Sequence, residues 1–211
     1  MLLLTALMCC ALCAGASAME NNMLKVGIKY GSEAMTAANL QNYSAFGGYT
    51  LGYYDAQRSF TALAQLPASV EKITVTTDSA YHVQLGEAFY DYASAAARAA
   101  QLGGFAAYEN GAFVVRVGSY RDFTAAQSAL SSIGGGTVAG GGDTGVTVIA
   151  TGTDVILFEF DGGAFPLGIR PLEAGEKTVT WFSGYRYFGG FEYQRAAGGA
   201  LSVINVVDLE D

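Results

Sequence analysis

The sequence predicts an α+β fold: a βαββαβ sheet with two helices on one face, flanked by strand-rich segments. Three observations predict it. First, residues 81–133 state one pattern twice: an alternating strand, a glycine, an aromatic corner and a helix. Tyr81-His82-Val83-Gln84-Leu85-Gly86 opens one copy, and Phe113-Val114-Val115-Arg116-Val117-Gly118 opens the other 32 residues later. Two copies make a pseudo-dimeric unit rather than a solenoid. Second, Asn110-Gly111 between the copies is a strong hairpin signal, because both positions of such a turn need positive φ. Third, from residue 154 onward helical periodicity gives way to short strands separated by glycine pairs.

Residues 1–18 carry no charged side chain and end Ala16-Ser17-Ala18, the small-x-small pattern of a signal peptidase site. A cleaved signal peptide is therefore expected at 1–18. Cys9, Cys10 and Cys13, the only cysteines, lie inside it. The chain beyond it then has no thiol for disulfides, metal ligation or nucleophilic chemistry. Residues 24–79 read as a small strand-rich unit, with strands at 25–30, 49–55 and 73–77. A short helix is expected at 60–66, stopped by Pro67.

Residues 80–150 hold the repeat. Its first helix runs from about Asp91 to Leu102 and stops at Gly103-Gly104; its alanines keep it thin enough to lie close to a sheet. The second opens on a capping box, Thr124-x-x-Gln127, and stops at 134–136. Strands are expected at 105–109 and 113–120, with 146–150 as the last of the βαββαβ set. Residues 151–211 read as an all-β segment.

Strand alternation fixes two faces. Tyr81, Val83 and Leu85 share one with Phe113, Val115 and Val117, and these apolar faces should cover the helices. His82, Gln84, Val114 and Arg116 take the other, helix-free face.

Composition narrows the function. The chain is 51% apolar and 14% charged, with a net charge of −8. Nucleic acids and anionic membranes bind proteins that neutralise phosphates with Lys and Arg, so neither is an expected partner. The apolar run at the start is too short for a good membrane span, and no stable membrane insertion is expected after signal cleavage.

Tyr81-x-Val83-Gln84-Leu85-Gly86-x-x-Phe89, a helix, and then Val115-Arg116-Val117-Gly118-Ser119-Tyr120 resemble a SPOR (sporulation-related repeat) domain over roughly residues 80–150. The resemblance implies binding to peptidoglycan glycan strands on the exposed sheet face. Tyr187-Phe188-Gly189-Gly190-Phe191-Glu192-Tyr193, followed by Gly198-Gly199-x-Leu201 and the run to Asp211, resembles the opening of a stage II sporulation protein D catalytic domain. Members of that family cleave peptidoglycan glycan as lytic transglycosylases or enhance an amidase. Their catalytic glutamate sits on a later helix, and Glu210 belongs to the opening motif, so no catalytic residue is assigned.

The candidate glycan-binding residues are Gln84, Arg116, His82, Glu87 and Tyr108. Gln84 and Arg116 occupy equivalent positions in the two copies. An amide matches an N-acetyl group, and a guanidinium fork matches hydroxyls or a lactyl carboxylate. His82, the only histidine, shares their face and reads as a surface residue lining the groove. Glu87 falls where the family carries a polar residue after the first glycine. Ala112 and Val114 replace its aromatic and basic residues, which leaves Tyr108 and Tyr120 as aromatics that could stand in for stacking. No cofactor or metal is expected. The expected function is peptidoglycan binding by a secreted bacterial cell-wall or sporulation protein, with a cell-wall hydrolase as a candidate partner. The alternatives are the front half of a peptidoglycan-cleaving enzyme or amidase enhancer, and a structural assembly module.

Overall fold

The structure, a computed structural model, describes residues 22–44, 47–140, 143–173, 177–196 and 199–210. The expected signal peptide and the three cysteines lie outside the described residues. The chain runs through β1 (Met23–Lys29), β2 (Ala37–Asn42), β3 (Tyr49–Tyr54), β4 (Phe60–Leu66), β5 (Lys72–Thr77) and β6 (Tyr81–Phe89). Then come α1 (Tyr92–Leu102), β7 (Phe105–Glu109), β8 (Ala112–Tyr120), α2 (Phe123–Ile133), β9 (Thr137–Gly140) and β10 (Val146–Ala150). The rest is strand: β11 (Ile156–Asp161), β12 (Leu167–Pro171), β13 (Thr180–Phe182), β14 (Tyr185–Tyr187), β15 (Gly190–Arg195) and β16 (Leu201–Asp208).

The fold class differs from the α+β expectation. The strands form two sheets, one of six in the order β1-β16-β15-β12-β3-β4 and one of ten in the order β14-β13-β2-β5-β10-β11-β7-β8-β6-β9. Among the described residues this is a β-rich, two-sheet architecture with two α-helices as a minor component, and it replaces the SPOR-like arrangement. The physical reason is strand continuation. The repeat's strands do not end at a free edge, because β7 pairs in parallel with β11 through Glu159↔Ala107 and Phe160↔Tyr108. The strand that follows α2 and pairs with β6 is β9, inside the glycine-rich 134–145 stretch. The 146–150 strand instead lies between β5 and β11.

Two local expectations also change. Residues 60–66 form strand β4, not a helix. Alanine's helix preference is outweighed by pairing along β3, from Tyr49↔Leu66 to Tyr54↔Phe60. The hairpin between them turns at Arg58, φ 65°. The cap of α2 is Asp122, whose carboxylate accepts from Ala125 N at 2.9 Å, so the helix begins one residue before Thr124. Asp91 caps α1 in the same way through Ser94 N at 2.8 Å, and these hydrogen bonds hold its carboxyl below the usual range.

One face of the ten-stranded sheet is mainly apolar, with Asn42 and Thr180 buried at its β2–β13 end. Leu40, Ile73, Val75, Val146, Val148, Phe158, Phe160 and Phe182 face Tyr49, Leu51, Leu167, Ile169, Phe191, Tyr193 and Leu201 of the six-stranded sheet in one buried core. Farther along the same face, α1 lies on β7 and β8, and α2 lies on β6 and β8. Ala95, Ala99 and Ala126 are the buried contacts of those helices, small enough for close approach. The side-chain register puts His82, Gln84, Arg116, Glu159, Thr147 and Thr76 together on the opposite face.

That opposite face is not flat. Residues 78–80 join β5 to β6, which stand five places apart in the sheet. Five spacings of a flat sheet would be about 24 Å. Four Cα steps reach at most about 14 Å. The sheet must coil, with 78–80 as the corner, and its polar face becomes the inside of a trough. Among the described residues no helix is long and apolar enough to cross a membrane.

Candidate functional site

Coiling brings side chains from distant strands together inside the trough. In a flat sheet β6 and β11 would stand about 14 Å apart, with β7 and β8 between them. Yet His82 Nε2 lies 2.8 Å from Glu159 Oε1. Asp78, at the corner, places Oδ1 3.8 Å from the same nitrogen. All three residues are buried, His82 completely.

The other ring nitrogen is held by a backbone feature. Between Tyr81↔Tyr120 and Val83↔Val117, β8 carries one residue more than β6. The bulge contains Gly118 at φ 73°. Such a bulge re-aims the backbone, and here the Gly118 carbonyl accepts from His82 Nδ1 at 2.6 Å. Donation from Nδ1 fixes the ring's orientation and directs Nε2 at the two carboxylates. The Nε2–Glu159 approach is short but out of line. Neither His82 Nε2 nor Glu159 Oε1 makes a hydrogen bond, although both are shielded from solvent.

Arg116 ties the cluster to its flank. Its Nη1 donates to Glu159 Oε2 at 2.9 Å, Nη2 to Glu109 Oε2 at 3.1 Å, and Nε to Gln84 Oε1 at 3.0 Å. The guanidinium fork is therefore committed on three sides, which a lysine could not reproduce. Burial alone would lower the His82 pKa. Asp78, Glu159 and the Gly118 carbonyl outweigh it and raise the imidazole to about 9. A cavity of about 390 Å³ opens onto Asp78 and His82, with Ser79, Ser119, Thr147 and Asp154 in its walls.

Of the sequence-derived candidates, Gln84, Arg116 and His82 do share the helix-free face. The expectation of a solvated sheet surface is corrected there, because coiling buries Arg116 and His82 and leaves Gln84 half-buried. Glu87 lies elsewhere. Between Gln84↔Arg116 and Ala88↔Val114 the surplus residues sit on β6, and Glu87 is pushed into solvent, 3.6 Å from Arg98 Nε. Tyr108 points to the apolar face and stacks on Phe160, centroids 5.8 Å apart and planes 8° apart. Asp78 and Glu159 are members of the cluster that sequence reasoning missed. Glu159 did carry a signal: it is the one charged residue within Val155-Ile156-Leu157-Phe158-Glu159-Phe160.

The two repeat glycines, equivalent in sequence, should respond differently to alanine. At Gly118 a methyl group would meet the Tyr120 ring, and φ is positive. The expected loss is about 1–3 kcal/mol. Gly86 has open space around it and no positive φ, so Gly86→Ala should change stability by less than about 0.5 kcal/mol. Urea unfolding of both variants measures the contrast, and equal effects would contradict the bulge geometry.

Comparison with known proteins returns no match: no family model, no curated protein and no solved structure aligns with the chain.

Proposed function

We propose that the chain is a secreted binder of peptidoglycan glycan strands, with the glycan lying along the open part of the ten-stranded sheet, beside the trough. One observation carries this placement. Trp181, Gln41 and Lys72 follow one another across β13, β2 and β5, with the paired Asn39 and Thr74 two residues along, and all lie on the face turned away from the core. Asn39 is exposed, and Gln41 and Trp181 are half-buried. Two strand spacings give the row a breadth of about 10 Å, suited to a short stretch of sugar rings.

The residue types match the ligand. A tryptophan face stacks on the apolar face of a pyranose. Amides pair with acetamido groups and the exposed Lys72 ammonium donates to sugar hydroxyls, whereas the buried Thr74 hydroxyl is held by Asn39 Oδ1 and Thr151. Arg186, beside Trp181 on the same face, sits over the Tyr43 ring at 5.0 Å, which adds a second aromatic at the rim. A secretion motif at 1–18 and a net charge of −8 suit a neutral wall polymer better than a polyanion.

The test is sedimentation with purified peptidoglycan sacculi, before and after an amidase has removed the peptide stems. The chain should sediment, more strongly with stripped glycan and with little dependence on moderate salt. Trp181→Ala should weaken binding about fivefold, the equivalent of the ~1 kcal/mol that such stacking contributes. Gln84→Ala should have a much smaller effect, because Gln84 faces Arg116. Absent sedimentation, or sedimentation indifferent to Trp181, would overturn the proposal.

A further inference from the structure

We propose that Asp78, His82 and Glu159 hold one divalent transition-metal ion, of the zinc and cobalt class, at the inner end of the trough. The ligand set is built rather than incidental. One ring nitrogen and two carboxylates converge from a corner and two strands, with their ligand atoms all within 4.8 Å of one another. Around a tetrahedral ion with bonds of about 2.0–2.1 Å, neighbouring ligand atoms stand about 3.3 Å apart. The observed contacts from Nε2, 2.8 Å to Glu159 and 3.8 Å to Asp78, bracket that value.

A second, independent observation points to a ligand. His82 Nε2 and Glu159 Oε1 are both buried and aimed at each other, yet neither makes a hydrogen bond. Buried polar atoms are nearly always hydrogen-bonded, and this 2.8 Å pair, out of line for a hydrogen bond, leaves both atoms able to engage a third species alongside their contact. A cation coordinated by both would satisfy them together.

The surroundings carry the supports a metal site needs. A ligating histidine usually donates its second nitrogen to a carbonyl or carboxylate, and His82 donates to Gly118 O. Glu159's second oxygen is held by Arg116, which fixes the carboxylate. On loading, the ion displaces the proton that His82 otherwise carries, and the Asp78 and Glu159 carboxylates offset its two positive charges. The cavity over Asp78 and His82 provides a route for the ion and room for a water or ligand atom to complete its coordination. An imidazole nitrogen among the ligands favours zinc or cobalt over magnesium or calcium, which take oxygen ligands.

The experiment uses the full chain with its three cysteines alkylated, so that no thiol competes. The metal-stripped protein is loaded with Zn²⁺, passed through gel filtration and assayed for metal, and a Co²⁺ titration is followed by visible absorbance. The expected result is about one Zn²⁺ per chain, a Co²⁺ spectrum of nitrogen and oxygen ligation, and no retention of Mg²⁺. Asp78→Asn and Glu159→Gln should each weaken Zn²⁺ binding about tenfold or more. The rise in melting temperature on Zn²⁺ loading, each protein being compared with its own metal-free form, should be present in wild type and lost in Asp78→Asn, which separates lost ligation from lost folding. Retention far below one equivalent by the unmodified sequence, or equal retention by both variants, would overturn the site. Neither outcome bears on glycan sedimentation, which depends on Trp181.

Discussion

Replacing Arg116 with methionine should cost about 3–5 kcal/mol of folding stability. The size follows from what is left behind. Arg116 is 4% exposed and Glu159 2% exposed. Methionine fills similar volume but takes the guanidinium away from the Glu159 and Glu109 carboxylates, leaving Glu159 to the His82 imidazolium. It also strips Gln84 Oε1 of its donor. Globular domains carry only about 5–15 kcal/mol in total, so much of the margin would go. Arg116→Lys should recover only part of it, because one ammonium cannot reach Gln84, Glu109 and Glu159 in the geometry of the fork. Adding Glu159→Gln to Arg116→Met should restore part of the loss, since one of the two carboxylates that Arg116 paired is then neutral, although His82 loses a partner. Urea denaturation reads all three. A loss below about 1 kcal/mol for Arg116→Met would mean that the trough admits enough water to solvate the carboxylates.

Stability of the metal-free protein should fall as pH rises from about 6.5 to 9. His82 is held protonated to about 9 when folded, mainly by Asp78 and Glu159 working against burial. In the unfolded chain it titrates near 6.5. Between these values the folded state binds the extra proton, so its contribution is fully present below about 6.5 and lost as pH passes 9. The gap corresponds to about 3 kcal/mol. Thermal unfolding of the stripped protein at pH 6 and pH 9.5 should show the decline. His82→Gln should flatten the profile across that window. The buried hydroxyls of Tyr49, Tyr54 and Tyr193, all raised by desolvation, act above pH 10 and leave the window clear. A profile that rises with pH in wild type would show that His82 is neutral in the fold.

What could be read from sequence was local. Asn110-Gly111 gives a hairpin with positive φ at both positions, 51° and 85°. Gly103 and Gly134 stop the helices in the left-handed conformation. Alternation in 81–85 and 113–117 correctly separates an apolar, helix-bearing face from a polar one. Each of these is set by residues a few positions apart. Curvature is not. Nothing in a period of two says whether a polar face is flat and wet or coiled and closed, so Arg116 and His82 read as surface residues. Their partner Glu159 is 43 positions beyond Arg116, on a strand whose pairing with β7 no adjacent turn announces. Residues 60–66 failed for a related reason: the run Phe-Thr-Ala-Leu-Ala-Gln-Leu has no strong strand signal of its own and takes its conformation from β3.

The pairing of β1 with β16 has a consequence for how the molecule is made. Met23 lies opposite Asp208, and β2 meets β13 across a comparable span of chain. A polypeptide emerging from the ribosome holds the early strands of both sheets long before their neighbours exist. β3 and β4 can form a hairpin at once, but among the described strands β1 pairs with β16 and must wait for it to be synthesised. Loop-closure entropy must be met before these distant contacts reward it, so folding should be slow for the chain's size. During that interval the apolar faces of β2 and β5 are open to other chains. A chaperone or a delay in folding until synthesis is complete would protect them, and truncation anywhere before β16 should yield aggregates rather than a smaller folded core.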